Sequence, residues 1–318
     1  MDSLAENMTD SPSSILNPPS SFSDGVARKL VAFARDIKIA HTVFALPWAV
    51  LATFLAAKET GQPLTAGKLG LILVCMVTAR TVAMAANRLL DARLDAMNPR
   101  TLRRAIPSGA LSRAFVLMAL LLCAGGFVAA CAGFYFLYAN PWPILLSLPV
   151  LAFVSVYPFF KRFTRLCHYW LGACLALAPI CAWVAIGGRI DWPPVVMAAA
   201  VLLWTAGFDI LYACQDYESD VACGVFSVPA KVGIGRALWI ARATHALCAV
   251  ALISIGLVSP TLGTFYFVGA AIAIGLLIVE HSLVKADDLS KVTLAFFTIN
   301  GVISLLVGTL GLIDVLRR

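Results

Sequence analysis

Charge is what this chain has least of. Only 13% of its 318 residues are Asp, Glu, Lys or Arg, while 61% are hydrophobic. A soluble domain carries about 25% charged residues. With a mean hydropathy of +0.89, the apolar surface exceeds what one water-facing core buries, so an ordinary soluble enzyme is excluded and a bilayer is the natural solvent. Other absences narrow the field. No C-x-x-C occurs among the cysteines at 75, 123, 131, 167, 174, 181, 214, 223 and 248, which excludes a disulfide framework or zinc ribbon and leaves reduced, space-filling thiols. His41, His168, His245 and His281 are scattered, with no H-E-x-x-H, and Gly233-Ile-Gly235 lacks the third glycine of a dinucleotide loop. No contiguous basic surface interleaved with aromatics is present, which excludes nucleic acid as a partner. The first residues lack the basic start and apolar centre of a signal peptide. Residues 1–27, rich in Ser, Pro and Asp, read as a disordered cytoplasmic tail.

What is present is a series of apolar runs, near 39–57, 69–86, 114–137, 143–160, 168–187, 194–213, 237–257, 261–281 and 292–313. Each has the roughly 20 residues a membrane helix needs. The run at 143–160 contains Pro143, Pro149 and Pro158, which a membrane helix tolerates when neighbours satisfy the freed carbonyls. The expectation is an all-α, polytopic membrane protein of about nine transmembrane helices. Basic residues fall unevenly between these runs. One set of connections holds 17 of them, among them Arg88, Arg93, Arg100, Arg103, Arg104, Lys161, Arg162 and Lys231, and the other holds 5: Lys58, Lys68, Arg189, Arg317 and Arg318. The positive-inside rule places the first set, and the N-terminus with it, in the cytoplasm, and it accounts for the net charge of +7.

Two acidic clusters stand out against this background. The second run leads into Asn87, Asp91 and Asp95, four apart and so on one helical face. Like charges at that spacing destabilise a helix unless a divalent cation sits against them. Carboxylate and amide oxygens suit Mg²⁺, which keeps waters and is shared with substrate phosphates. The sixth run ends in Asp209, Tyr212, Asp216 and Asp220, at offsets of three, seven and eleven, again one stripe if the helix continues. An even number of crossings separates the clusters, so both open on the same side and can clamp a Mg²⁺–diphosphate between them. An ordinary solvated helix end accounts for either cluster alone, and is the weaker account of two in phase on one side. Arg88, Arg100, Arg103, Lys161, Arg162 and Lys231 are the candidates to neutralise a diphosphate or an acceptor carboxylate. For Arg93, Arg113 and Arg165 a topological role suffices. Asp209 is the candidate to orient an acceptor or draw its proton, the alternative being a partner for Tyr212 or Lys161.

At these residues the sequence resembles the UbiA superfamily of intramembrane aromatic prenyltransferases. Asn87-x-x-x-Asp91-x-x-x-Asp95 resembles the family's first motif, and Asn98-Pro99-Arg100-Thr101 through Gly109 the segment after it. Tyr157-Pro158-x-x-Lys161-Arg162 resembles the mid-chain element, and Asp209-x-x-Tyr212-Ala213-x-x-Asp216-x-x-x-Asp220 the second motif. The resemblance implies nine helices around a central cavity, with residues 28–318 as one transmembrane prenyltransferase domain in the inner membrane. It implies Mg²⁺-dependent transfer of a polyprenyl group from polyprenyl diphosphate to an aromatic acceptor, 4-hydroxybenzoate or a related precursor, in respiratory quinone (ubiquinone or menaquinone) synthesis. Asn87, Asp91, Asp216 and Asp220 match its metal-binding positions, with Asp95 supporting. The first span, Ile37-Lys38-Ile39-Ala40-His41-Thr42-Val43-Phe44, looks more like the branch serving menaquinone by the futalosine route than like ubiquinone members. Haem O synthase-like and chlorophyll synthase-like acceptors belong to the same superfamily. Two rivals lie outside it. An ion-coupled transporter predicts carboxylates and broken helices at mid-membrane depth. A CDP-alcohol phosphotransferase predicts a D-G-x-x-A-R lead, of which Asp24-Gly25-Val26-Ala27-Arg28 is a partial match without the downstream aspartates.

Overall fold

The computed structural model describes residues 22–318, and most of the expected tail lies outside the described residues. Helix α1 (Phe22–Asp36) begins inside the range expected to be tail. Phe33 of α1 and Ile37 beyond its end pack on Ala85, Ala105, Leu111 and Val116, and that apolar face is what makes the segment fold. A 3₁₀ turn (Ile39–Phe44) then leads into α2 (Leu46–Thr60), α3 (Ala66–Met97), α4 (Arg113–Tyr138), α5 (Trp142–Phe160), α6 (Cys167–Gly187) and α7 (Trp192–Ala213). After a second 3₁₀ turn (Cys214–Asp216) come the short helices α8 (Tyr217–Ala222) and α9 (Val228–Val232). They precede α10 (Ile234–Val258), α11 (Thr264–Leu283), the single turn α12 (Val292–Leu294), a π-helical turn (Ala295–Ile299) and α13 (Asn300–Arg317). Among the described residues, nine helices are long and apolar enough to cross a membrane, and all nine expected runs correspond to one of them.

Local chemistry sets the boundaries. Thr65 and Ser112 accept with their hydroxyls from the N–H groups of Lys68 and Phe115, in the first turns of α3 and α4. Pro47, Pro143 and Pro193 occupy the first turns of α2, α5 and α7, where no N–H partner is lost. Gly61 and Gly188 end α2 and α6 in the left-handed conformation. Helix α3 stops at Met97 because Asn98 precedes Pro99 and is extended, at φ −101° and ψ 119°.

Because lipid gives helices no hydrophobic reason to associate, close packing and polar contacts hold them together. Gly172 of α6 lies against the Leu202 backbone of α7, where any Cβ would collide. Trp48, Trp183 and Trp204 are fully buried. Leu121, Leu122, Phe136 and Leu257 point outwards and are exposed, as lipid-facing residues should be. One polar network crosses the core: Asn300 donates to Glu280 Oε1 (2.6 Å) and accepts from Trp204 Nε1 (2.6 Å). Asn300 also donates to the Ala295 carbonyl, pinning the π-helical turn that carries Phe296. The Phe296 ring lies 4.2 Å from that of Tyr212.

Candidate active site

Two cavities occupy one end and the interior of the bundle. The smaller, about 140 Å³, is polar and is lined by Asn87, Asp91, Asp95, Asn98, Arg100, Arg104, Lys161, Asp216 and Asp220, among others. Asp216 and Asp220 of the second cluster therefore face the same space as the first cluster. The larger, about 330 Å³, is mainly apolar and lies between α3, α4, α5, α6 and α7, with Phe127, Phe134, Val154, Leu175 and Phe208 among its walls. Asn87 and Arg104 line both. They are the seam at which a charged compartment meets an apolar one.

The first cluster sits on an unbroken helix. Asp91 is fully buried; Lys161 Nζ lies 2.7 Å from one oxygen and Arg162 3.3 Å from the other. Asn87 donates to the Lys161-paired oxygen at 2.6 Å. Asp95 takes Arg104 at 2.7 Å, and its second oxygen is buried with no hydrogen-bond partner. Burying carboxylates is costly unless they are paired and hydrogen-bonded. Cations from α5's end and from the loop after α3 meet most of that requirement.

The second cluster departs from the expected single stripe. Helix α7 ends at Ala213, and the chain tightens into a 3₁₀ turn before restarting as α8. Asp216 thereby precedes α8, and Glu218 and Asp220 fall in its first turn, where the helix dipole favours negative charge. A continuous α7 would have stacked them at its unfavourable C-terminal end. Arg100 grips Asp216 with two nitrogens, at 2.8 and 2.6 Å, and Asn98 adds a third contact at 2.8 Å. Arg100 also donates to the Tyr212 hydroxyl (3.1 Å).

The other sequence-derived candidates are distributed unevenly. Arg162 flanks Asp91. Arg88 pairs with Asp36 (3.1 Å), donates to the Asn87 side-chain oxygen at 2.6 Å, and lines only the apolar cavity. Arg103 is exposed and lines neither cavity: the turn that bonds Arg104 N to the Thr101 carbonyl aims Arg104 inwards in its place. Lys231 sits on the outer face of α9, exposed, with Nζ 3.8 Å from the Phe226 ring centroid, and it too lines neither cavity. Asp209 and Tyr212 face the apolar cavity rather than the polar one. Asp209 pairs with neither Tyr212 nor Lys161; its carboxylate lies 2.6 Å from His168 Nδ1.

Sequence reasoning assigned no role to His168 and Asn98, and noted Lys38 and Arg104 only as basic residues. Asn98-Pro99 in a polar loop was the available signal for Asn98. Nothing local in the sequence pairs His168 with Asp209, 41 positions away. Lys38 lines the apolar cavity near the seam. Burial, and then the charges of Arg104, Arg100 and Arg88, push its ammonium down to a pKa of about 8.

The oxygen donors fit a hard divalent cation. No three His, Cys, Asp or Glu side chains among the described residues converge closely enough to cage a metal by themselves. Such a donor set suits Mg²⁺, which completes its shell with water and substrate oxygens. The unpartnered Asp95 oxygen is a ready ligand atom. Asp91 and Asp216, paired as they are, need an incoming anion to draw Lys161, Arg162 and Arg100 away.

A membrane-crossing bundle that joins a charged compartment to an apolar one suits an enzyme for amphiphiles with an anionic head. Comparison with known proteins makes that specific. Residues 45–302 match the UbiA prenyltransferase family, and the chain belongs to it; it is a membrane-embedded prenyltransferase. A 4-hydroxybenzoate octaprenyltransferase from Nitrosococcus oceani is 29% identical over 289 residues, covering 90% of this chain and 98% of the relative. One from Vibrio vulnificus is 31% identical over 159 residues, and that alignment spans 50% of this chain and 54% of the relative. The apo structure of a UbiA homologue from Aeropyrum pernix K1 superposes with a TM-score of 0.77 at 29% identity, covering 87% of this chain and 98% of that one. A UbiA homologue from Archaeoglobus fulgidus bound to DMAPP and Mg²⁺ shares the fold, with a TM-score of 0.67 at 20% identity over 90% of this chain and 99% of that one. Neither the transporter nor the CDP-alcohol phosphotransferase reading survives this membership.

Proposed function

We propose that the protein transfers a polyprenyl group from polyprenyl diphosphate to an aromatic acceptor, 4-hydroxybenzoate or a related quinone precursor, in a Mg²⁺-dependent reaction. The observation that carries this reading is the seam at Asn87 and Arg104, where the charged compartment runs into the apolar one. A diphosphate head and a hydrocarbon tail joined at one carbon need that junction. The octaprenyltransferase name of the relatives and the DMAPP and Mg²⁺ bound by the Archaeoglobus homologue support it.

Asn87, Asp91, Asp95, Asp216 and Asp220 are the residues to hold Mg²⁺, which when bound would stabilise charge developing on the departing diphosphate. Lys161, Arg162, Arg100 and Arg104 already sit against these carboxylates and would turn to the diphosphate oxygens. The tail would lie along α3 to α6. Asn87 is fifteen positions from Ile72, and both line the apolar cavity, so the lined stretch of α3 is roughly 22 Å long at 1.5 Å per residue. Phe208, Tyr212 and Phe296 would shield an allylic cation from water by presenting their ring faces. Asp209, which lines the apolar cavity, would orient the acceptor or take its proton.

The uneven distribution of basic residues supports an integral inner-membrane protein whose N-terminus and charged compartment face the cytoplasm. We retain residues 28–318 as the single prenyltransferase domain. The sequence of the first span supports a menaquinone precursor of the futalosine route as the second choice of acceptor.

The test is an assay in membranes with a polyprenyl diphosphate and several aromatic acids, read by product mass. Transfer should stop on chelation and return with Mg²⁺. No prenylated product with any aromatic acceptor, or full activity in chelator, would sink the reading; the mass of the product decides between the acceptors.

A further inference from the structure

His168 begins α6 and is 3% exposed, with its ring held from both sides. Its Nε2 lies 3.1 Å from the backbone nitrogen of Val228. A backbone N–H can only donate, so Nε2 is the accepting, unprotonated nitrogen and the ring hydrogen resides on Nδ1. That Nδ1–H donates to Asp209 Oδ2 at 2.6 Å. One oxygen of Asp209 is thus committed, while the side chain, 24% exposed, still lines the apolar cavity beside Tyr212. The segment holding the far side of the imidazole is not remote from the charged compartment. Val225 N donates to the Asp220 carbonyl (2.8 Å) and Phe226 N to that of Lys161 (2.7 Å). The same short strip of backbone therefore touches the second acidic cluster, the lysine beside Asp91, and the histidine behind Asp209.

We propose that His168 is the positioning residue for Asp209, holding its carboxylate so that the second oxygen faces the aromatic acceptor and receives the ring proton. This rests on the prenyl-transfer reading above. As the allylic C–O bond breaks, its electron pair leaves with the diphosphate. The ring carbon bonds to the allylic carbon, the C–H pair returns to the ring, and the proton passes to Asp209 and from there to water. The imidazole keeps its proton throughout, since Val228 occupies its only other nitrogen. A hydrogen bond of this kind behind a working carboxylate fixes its orientation, as partners behind metal ligands do, with losses of about 10- to 100-fold when they are removed.

The full-length protein in membranes, assayed with a polyprenyl diphosphate and 4-hydroxybenzoate, tests this through two replacements. His168→Leu removes both hydrogen bonds; His168→Asn keeps an N–H near the Nδ1 position and is too short to reach Val228. The expected result is a kcat lowered about 10- to 100-fold by His168→Leu, with KM for the prenyl diphosphate unchanged, and substantial recovery in His168→Asn. In His168→Leu, ring-deuterated acceptor should react more slowly than the protiated form, because proton removal becomes limiting. His168→Leu combined with Asp209→Asn should be no slower than Asp209→Asn alone, as for residues acting as a unit. Equal losses in the Leu and Asn variants would assign His168 to holding the Val228 loop and overturn the proposal. So would strictly additive losses with Asp209→Asn, or a His168→Leu variant with wild-type kcat. Wild-type protein that prenylates no aromatic acid brings down the functional reading, and this inference with it. Transfer by wild type with indifferent His168 variants brings down the inference alone.

Discussion

The two acidic clusters do the same geometric job by opposite structural means. The first rides an unbroken 32-residue helix and is buried, with Asp91 fully so and Asp95 at 5% exposure. Its carboxylates lie in the last turns of α3, against the dipole of their own helix, and depend on Lys161, Arg162 and Arg104 for compensation. The second cluster breaks its helix and restarts it, which turns the dipole in its favour and leaves Asp216 at 15% exposure. The first cluster is built into the bundle, and the second is a turn tied across to the loop after α3 by Arg100 and Asn98. The difference teaches that burial, and not acidity alone, separates a fixed wall from an adjustable one.

Replacing Asp91 and Asp216 in parallel is the sharpest way to break the comparison. Both Asp91→Ala and Asp216→Ala should abolish most transfer, but Asp91→Ala should destabilise the fold more. Removing one partner of a buried pair costs about 3–5 kcal/mol and one of a fully exposed pair about 0–1; half-buried Asp216 falls between, so thermal unfolding in detergent should show the larger loss for Asp91→Ala. Equal Tm losses would show that the second cluster is as fixed as the first.

A smaller effect is expected in the loop between them. Arg104→Ala should lower prenyl transfer by about 10- to 100-fold, the scale of loss for a residue orienting a metal ligand, because it strips Asp95 of its cation. Arg103→Ala, one position on the exposed side, should stay close to wild type. Initial rates at saturating acceptor check both, and a larger loss for Arg103→Ala would reverse the assignment of the two.

The smallest effect concerns Lys38, at the seam. Its folded pKa is about 8 against an ordinary 10.5, lowered by burial and then by Arg104, Arg100 and Arg88. The unfolded chain therefore binds more protons than the folded one between these values, and stability rises with pH there. Below about 8 both states carry the proton and the cost of burying it is complete. Tm should climb modestly from pH 8 towards 10, and Lys38→Met should flatten that climb and raise Tm at neutral pH. An unchanged slope in Lys38→Met would place the titrating group elsewhere.

Hydropathy was enough to find all nine helices that are long and apolar enough to cross a membrane among the described residues, because twenty apolar residues in a row have few other uses. The acidic clusters were legible for the same reason in reverse: charge at the end of an apolar helix is costly and has to be explained. What escaped was whatever depended on the third dimension. Helical phase carried Asp209 through Asp220 as one stripe, and the 3₁₀ turn at Cys214–Asp216 broke it. Periodicity was silent on whether Arg103 or Arg104 turns inwards, since a loop decides that and loops have no period. The start of α1 was read as tail because Ser, Pro and Asp dominate before it, although Phe33 and Ile37 are spaced to share a helical face. His168 went unassigned because its partner comes from another helix.

Arg100 couples the two compartments. It holds Asp216 in the charged compartment and Tyr212 at the wall of the apolar one, with its guanidinium 5.2 Å from the Tyr212 ring. Anyone reshaping this protein to accept a different ring will find that the two chambers are not separate modules. A substitution at the aromatic wall pulls on the same side chain that steadies the acidic turn, so under the proposed function acceptor choice and grip on the leaving group must be redesigned together.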